Sequence, residues 1–220
     1  MKKKLLAVII FVSAVSGMAC PESPGTLSAA TDPYRLSLIT LMKADTALIE
    51  DLLSRGKDGP PFQLGILNIN LILLTDKLSS LDEGVAHLEK VRGADKETPL
   101  YRVYLGMAEA FTARRRTVFG LKNLQNTETL MTGIPADYPD WHIRLLRGMS
   151  YYRLGTGLPG IGPMKETKEK ALSLGEGDLL YVLEQHRENP VGVFLLETYD
   201  WETLPVPDAA AAFAREVLFP

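Results

Sequence analysis

An all-α fold of antiparallel helix pairs, stacked as a solenoid, is predicted by three observations. Helix-start and helix-stop residues recur at short intervals, the apolar residues between them fall at helical spacing, and the period-two alternation of strands is almost absent. With 46% hydrophobic residues, 23% charged residues and a single Cys, the composition excludes a disulfide scaffold, a collagen-like chain and a disordered tail. One helical domain is expected over residues 33–220, after a signal peptide at 1–19 and a tether at 20–32.

The leader is read from Lys2, Lys3 and Lys4, the apolar run Leu5 to Val15, and then Ser16-Gly17-Met18-Ala19-Cys20. As a helix, the apolar run rises about 16 Å, roughly half a hydrocarbon core, too little for a permanent span. This arrangement resembles a bacterial lipoprotein signal, in which the Cys becomes the acylated first residue; Gly17 departs from it, standing where the family usually carries an aliphatic residue. The resemblance implies export and a lipid anchor at Cys20 on the periplasmic side of a bacterial membrane. Ordinary cleavage after Ala19 is the alternative. Pro21-Glu22-Ser23-Pro24-Gly25-Thr26 suits a flexible tether. Without the three leader lysines, 21 basic residues face 27 acidic ones, a net charge of about -6, which argues against nucleic acid as a partner.

The elements follow in order. Asp32-Pro33 starts a helix that carries Leu36, Ile39, Leu41, Leu48, Leu52 and Leu53 and stops at Gly56. Gly59-Pro60-Pro61 breaks the chain. Leu64 to Leu74 is then so apolar that a helix buried on most sides is expected, with a strand over Ile66 to Leu74 as the competing reading. Ser80-Leu81-Asp82-Glu83 spells a capping box for a third helix, which ends at Gly93. Thr98-Pro99 opens a fourth, carrying Leu100, Val103, Tyr104, Met107, Ala108 and Phe111. Further helices are predicted from Leu121 to Met131, Pro139 to Leu154, Met164 to Leu174, Asp178 to Arg187 and Val191 to Tyr199, and from Asp208 through Leu218.

A period is present. Leu71-Ile72 is followed after thirty-four residues by Leu105-Gly106, and a third copy runs from Trp141 to Gly155, with Gly148, Ser150 and Tyr151 in register. Over residues 61 to 175 this resembles the tetratricopeptide repeat, with a fainter likeness to the helical lipoprotein component associated with TRAP-type tripartite periplasmic transporters. Gly148 follows Gly106 by 42 residues and Arg147 replaces the usual Leu, both departures from the repeat. The resemblance implies small residues where the two helices of a pair cross. A single pair cannot bury its own face, so neighbouring pairs must complete the core.

No residue is expected to be catalytic, and no metal or other cofactor is expected. Gly155-Thr156-Gly157-Leu158-Pro159-Gly160 matches the dinucleotide-binding glycine pattern, but a predicted helix precedes it where a strand is required. His87, His142 and His186 stand far apart, none at metal-ligand spacing with another His or Cys. No serine lies in a nucleophile elbow. His142, beside Asp140 and Trp141, could face a groove.

Carried onto this sequence, the repeat's groove positions are Ile66, Ile69, Leu73, Leu100, Val103, Met107, Phe111, His142, Leu145, Met149 and Tyr152, with Arg144 and Arg153 on the rim. Most are apolar. The resemblance therefore implies a non-catalytic binding or assembly module that takes a protein or peptide in an apolar groove. The alternative is a transporter accessory holding a small hydrophobic ligand. A groove filled by the first or last helix of the chain itself is also expected, since large apolar patches are seldom left uncovered. If the groove is open, glutamate at Met107 and Met149 should abolish capture and leave helicity intact.

Overall fold

Pro33, Pro61 and Pro99 each begin a helix, the position where proline's fixed φ and missing N–H are tolerated. The computed structural model describes residues 32–43, 45–116, 120–158, 160 and 164–185. Among these there are eight α-helices and no strand: α1 Pro33–Lys43, α2 Thr46–Arg55, α3 Pro61–Thr75, α4 Leu81–Glu89, α5 Pro99–Arg116, α6 Leu121–Thr132, α7 Trp141–Gly157 and α8 Met164–Gln185. The strand alternative for Ile66 to Leu74 is thereby removed. The leader, Cys20, most of the tether, His186 and the helices predicted at Val191 to Tyr199 and Asp208 to Leu218 lie outside the described residues.

Local chemistry moved several boundaries. The first predicted helix is two, because the Asp45 carboxylate accepts from the Leu48 N–H at 3.0 Å and starts α2 afresh. Ser80 makes no side-chain cap; a 3₁₀ turn over Leu78–Ser80 leads into α4 instead of the capping box. Helix α7 continues through Gly155 to Gly157. The two helices predicted at Met164 to Leu174 and Asp178 to Arg187 are one, running through Gly175 and Gly177.

The reason α8 keeps its glycines is contact with α7. A Cβ on Gly175 would lie 2.9 Å from the Tyr152 backbone nitrogen and 3.0 Å from the Gly148 carbonyl oxygen, while one on Gly155 would strike Leu172. The two helices thus cross antiparallel, with glycines of each letting the other approach closely. Gly65 of α3 and Gly106 of α5 make room for the side chains of Leu88 of α4 and Met131 of α6. Gly175→Ala should therefore destabilise the chain by about 1–3 kcal/mol, since backbone is what must move; urea unfolding measures it, and an unchanged midpoint would mean the crossing is loose.

Pairs α3/α4, α5/α6 and α7/α8 each pack closely, and α3, α5 and α7 lie side by side. Their apolar residues form one core, in which Ile66, Ile69, Val103, Tyr104, Met107, Leu145 and Met149 are fully buried. Helices α1 and α2 break the pattern: they make almost no contact with one another, and each packs on α3 instead. Leu36 of α1 joins Ile49 and Leu52 of α2 over Leu67 in a smaller cluster.

Candidate functional site

The face on which α3, α5 and α7 meet is occupied by α1. Its contact side presents Leu36, Ser37, Thr40 and Leu41, all buried, and half of these side chains are polar. Ser37 Oγ lies 2.6 Å from the Tyr104 hydroxyl and 2.7 Å from His142 Nε2. Tyr104 donates to Asn70 Oδ1 at 2.8 Å. Asn70 Nδ2 donates to Thr40 Oγ1 at 2.8 Å and to the Ser37 carbonyl at 3.3 Å, and Thr40 donates to the Leu36 carbonyl at 2.7 Å. Four helices thus contribute to one buried network.

Its proton directions follow from counting donors. The two amide donations orient Asn70, so Oδ1 must accept the only proton of Tyr104. Ser37 then has to donate to Tyr104. With that hydrogen spent, the contact between Ser37 and His142 requires a proton on Nε2. His142 is thus a donor through Nε2, its Nδ1 has no hydrogen-bond partner within the described residues, and burial keeps the ring neutral. Burial pushes its pKa from 6.5 down to about 4, with Asp140 opposing weakly. Burial likewise raises the pKa of Tyr104, against its hydrogen bonds with Ser37 and Asn70.

A serine oxygen on a histidine nitrogen is the first half of a nucleophile and base pair, yet here the histidine gives its proton to the serine. Ser37 and His142 are also both wholly buried. This pair acts as structure. Asp140 fixes its geometry by capping α7, accepting from the His142 and Ile143 N–H groups at 2.9 and 3.2 Å. The Tyr34 hydroxyl of α1 donates to the same carboxylate oxygen at 2.9 Å. Burial first, and Asp140 second, raise the Tyr34 pKa. The Tyr34 ring stands edge-on to the His142 ring at 5.0 Å.

The positions expected to line the groove are thus largely interior. Ile66, Ile69, Leu73, Leu100, Val103, Met107, Phe111, His142, Leu145 and Met149 are all buried, and only Tyr152 and Arg153 are partly exposed. Ile69 is turned toward α4, where it lies against Gly84. Glutamate at Met107 or Met149 would enter the core, so those substitutions report on folding and not on capture. The rim arginines also hold structure. Arg153 donates to the Leu73 carbonyl at 3.0 Å and, with Arg114, pairs with Asp76, the left-handed residue that ends α3. The Arg114 hydrogen bond lowers the Asp76 pKa. Arg144 bonds Asp178 at 2.9 Å and lies 3.6 Å above the Tyr181 ring.

No family model, curated protein or solved structure matches the chain. Among the described residues no group of three or more His, Cys, Asp or Glu side chains could hold a metal ion, and no helix is long and apolar enough to cross a membrane. A second feature is a cleft of about 500 Å³ between α2, α3 and α4, lined by Leu53, Lys57, Asn68, His87 and Lys90 among others. Burial first and Lys90 second lower the His87 pKa, against Glu83.

Sequence reasoning reached His142 and missed Ser37, Thr40, Asn70 and Tyr104. A signal was available: Asn70 interrupts an apolar run, and Tyr104 follows it by 34 residues, the interval of the repeat.

Proposed function

We propose that the chain is a non-catalytic binding or assembly module of the bacterial envelope, exported and lipid-anchored through Cys20. Its helix pairs form a tetratricopeptide-like solenoid that receives a protein or peptide on the face shared by α3, α5 and α7. The observation that carries this reading is the seating of α1: a helix that does not pair with its neighbour α2 lies on that face, so the face is shaped to receive a helix. The buried polar groups disfavour the small hydrophobic ligand, which would leave the Asn70 amide N–H and the His142 ring N–H without acceptors.

Two measurements on intact cells test it. Cys20→Ser should release the chain from the membrane fraction, and continued membrane attachment would exclude the anchor. A photoreactive residue at Tyr152, at the partly exposed end of the expected groove, should give one discrete protein adduct. The absence of any adduct, together with a lipid-sized mass retained in native mass spectrometry, would replace the protein partner by a small ligand.

A further inference from the structure

The contact side of α1 reads Leu36-Ser37-x-x-Thr40-Leu41, two small hydroxyls three residues apart with a leucine outside each. The receiving side is equally specific. His142 offers a ring N–H, Tyr104 a phenol oxygen that accepts, and Asn70 a carboxamide N–H, and all three residues are buried and come from different helices. An aliphatic occupant would bury these groups unpaired, and such groups weigh heavily against binding. A helix with hydroxyls at i and i+3 satisfies all of them at once.

Helix α1 is also separable from the frame around it. It has eleven residues, too few to persist as an isolated helix in water, so its order derives from the face it lies on. Helix α2 has its own Asp45 cap and its own seat on α3, where Ile49 and Leu52 meet Leu67 beside Leu36 of α1. The pairs α3/α4, α5/α6 and α7/α8 are joined to each other without α1.

We propose that this face is a receptor for a partner protein's amphipathic helix carrying the pattern Leu-Ser/Thr-x-x-Ser/Thr-Leu, and that residues 33–43 are the chain's own occupant, displaced when that partner docks. The inference rests on the binding-module reading and narrows its partner. Being tethered, α1 competes at an effective concentration on the order of millimolar, so the resting face is closed to weak or mismatched helices. Selectivity comes from the hydroxyl register, and affinity from the flanking leucines.

The test uses the full chain and a fluorescent synthetic peptide of residues 32–45. In the chain, Ser37→Ala with Thr40→Val removes the match of the tethered helix and leaves Asn70, Tyr104 and His142 intact. The wild-type peptide should bind this variant at least about tenfold more tightly than it binds the wild-type chain. It should also bind at least about tenfold more tightly than a peptide carrying the same two substitutions. Leu38→Pro, which breaks α1 in its interior but keeps both hydroxyls, should open the face in the same way. No peptide binding to either variant, equal binding of the two peptides, or global unfolding of both variants would overturn the proposal. So would a dimer of either variant formed by exchange of α1, since the face would then belong to a second copy. Hydroxyl-selective peptide binding without a Tyr152 adduct in cells would keep the receptor and sink the envelope-partner reading; an adduct without peptide binding would do the reverse.

Discussion

Replacing Asp178 by alanine should cost the fold about 3–5 kcal/mol. Asp178 accepts from Arg147 Nε at 2.5 Å and Nη2 at 2.8 Å, and from Arg144 Nε at 2.9 Å. The side chains of Arg147 and Asp178 are only 5% and 6% exposed, so removal of the carboxylate strands a guanidinium away from water. The arginine cannot simply turn outward. Its other N–H groups hold the carbonyls of Ile134, Pro135 and Ala136, at 2.8, 3.0 and 3.1 Å, and so fix the loop that leads into α7. Urea unfolding of Asp178→Ala measures the loss. A change below about 1 kcal/mol would mean the pair is solvated and worth no more than a surface ion pair. Arg147→Met should not rescue it, because three carbonyls would then lose their donor.

Acidification supplies the second large effect. The native pKa of His142 is about 4, whereas the unfolded chain takes up that proton near the ordinary 6.5. Between those values the unfolded state binds one more proton than the native state, so stability is intact above pH 6.5 and falls as the pH drops toward 4. The slope is about 1.4 kcal/mol per pH unit, or about 3 kcal/mol over the window. Protonation would also add a second donor, at Nδ1, where no acceptor waits. His87 titrates in the same sense, its pKa also being lowered, while Glu176, whose carboxyl pKa burial raises, works in the opposite sense. A comparison with His142→Gln cancels both, since glutamine keeps an N–H for Ser37 and does not titrate. The difference between the two stability curves should grow as the pH falls through the window. Parallel curves would show that His142 is not the group responsible.

Helix class was legible because punctuation is local: Pro33 and Pro99 mark helix starts from sequence alone, and apolar spacing marks what each buries, whereas Pro61, read as part of a break, is the first residue of α3. What escaped was decided at a distance. Gly175 reads as a helix stop until α7 is packed against it, and the close crossing then makes glycine the residue the helix needs there. Asp178 resembles an N-cap, yet it is the counter-ion of two arginines more than thirty residues earlier. Ser80 and Glu83 satisfy the capping pattern, but the preceding 3₁₀ turn leaves Ser80 without a capping bond. At the site, the apolar positions and His142 could be placed by periodicity. The hydroxyls of α1 could not, because Ser37 and Thr40 have ordinary surface chemistry until a partner face for them is known.

The one-way run of donors from His142 to the Leu36 carbonyl has a consequence for how this chain can change over time. From Ser37 onward each member both accepts and gives, so a replacement that lacks the hydrogen-bonding group of its predecessor leaves a proton or a lone pair stranded further along. In descendants of this sequence, Ser37, Thr40, Asn70, Tyr104 and His142 should vary as a set or stay together, while the leucines around them drift singly.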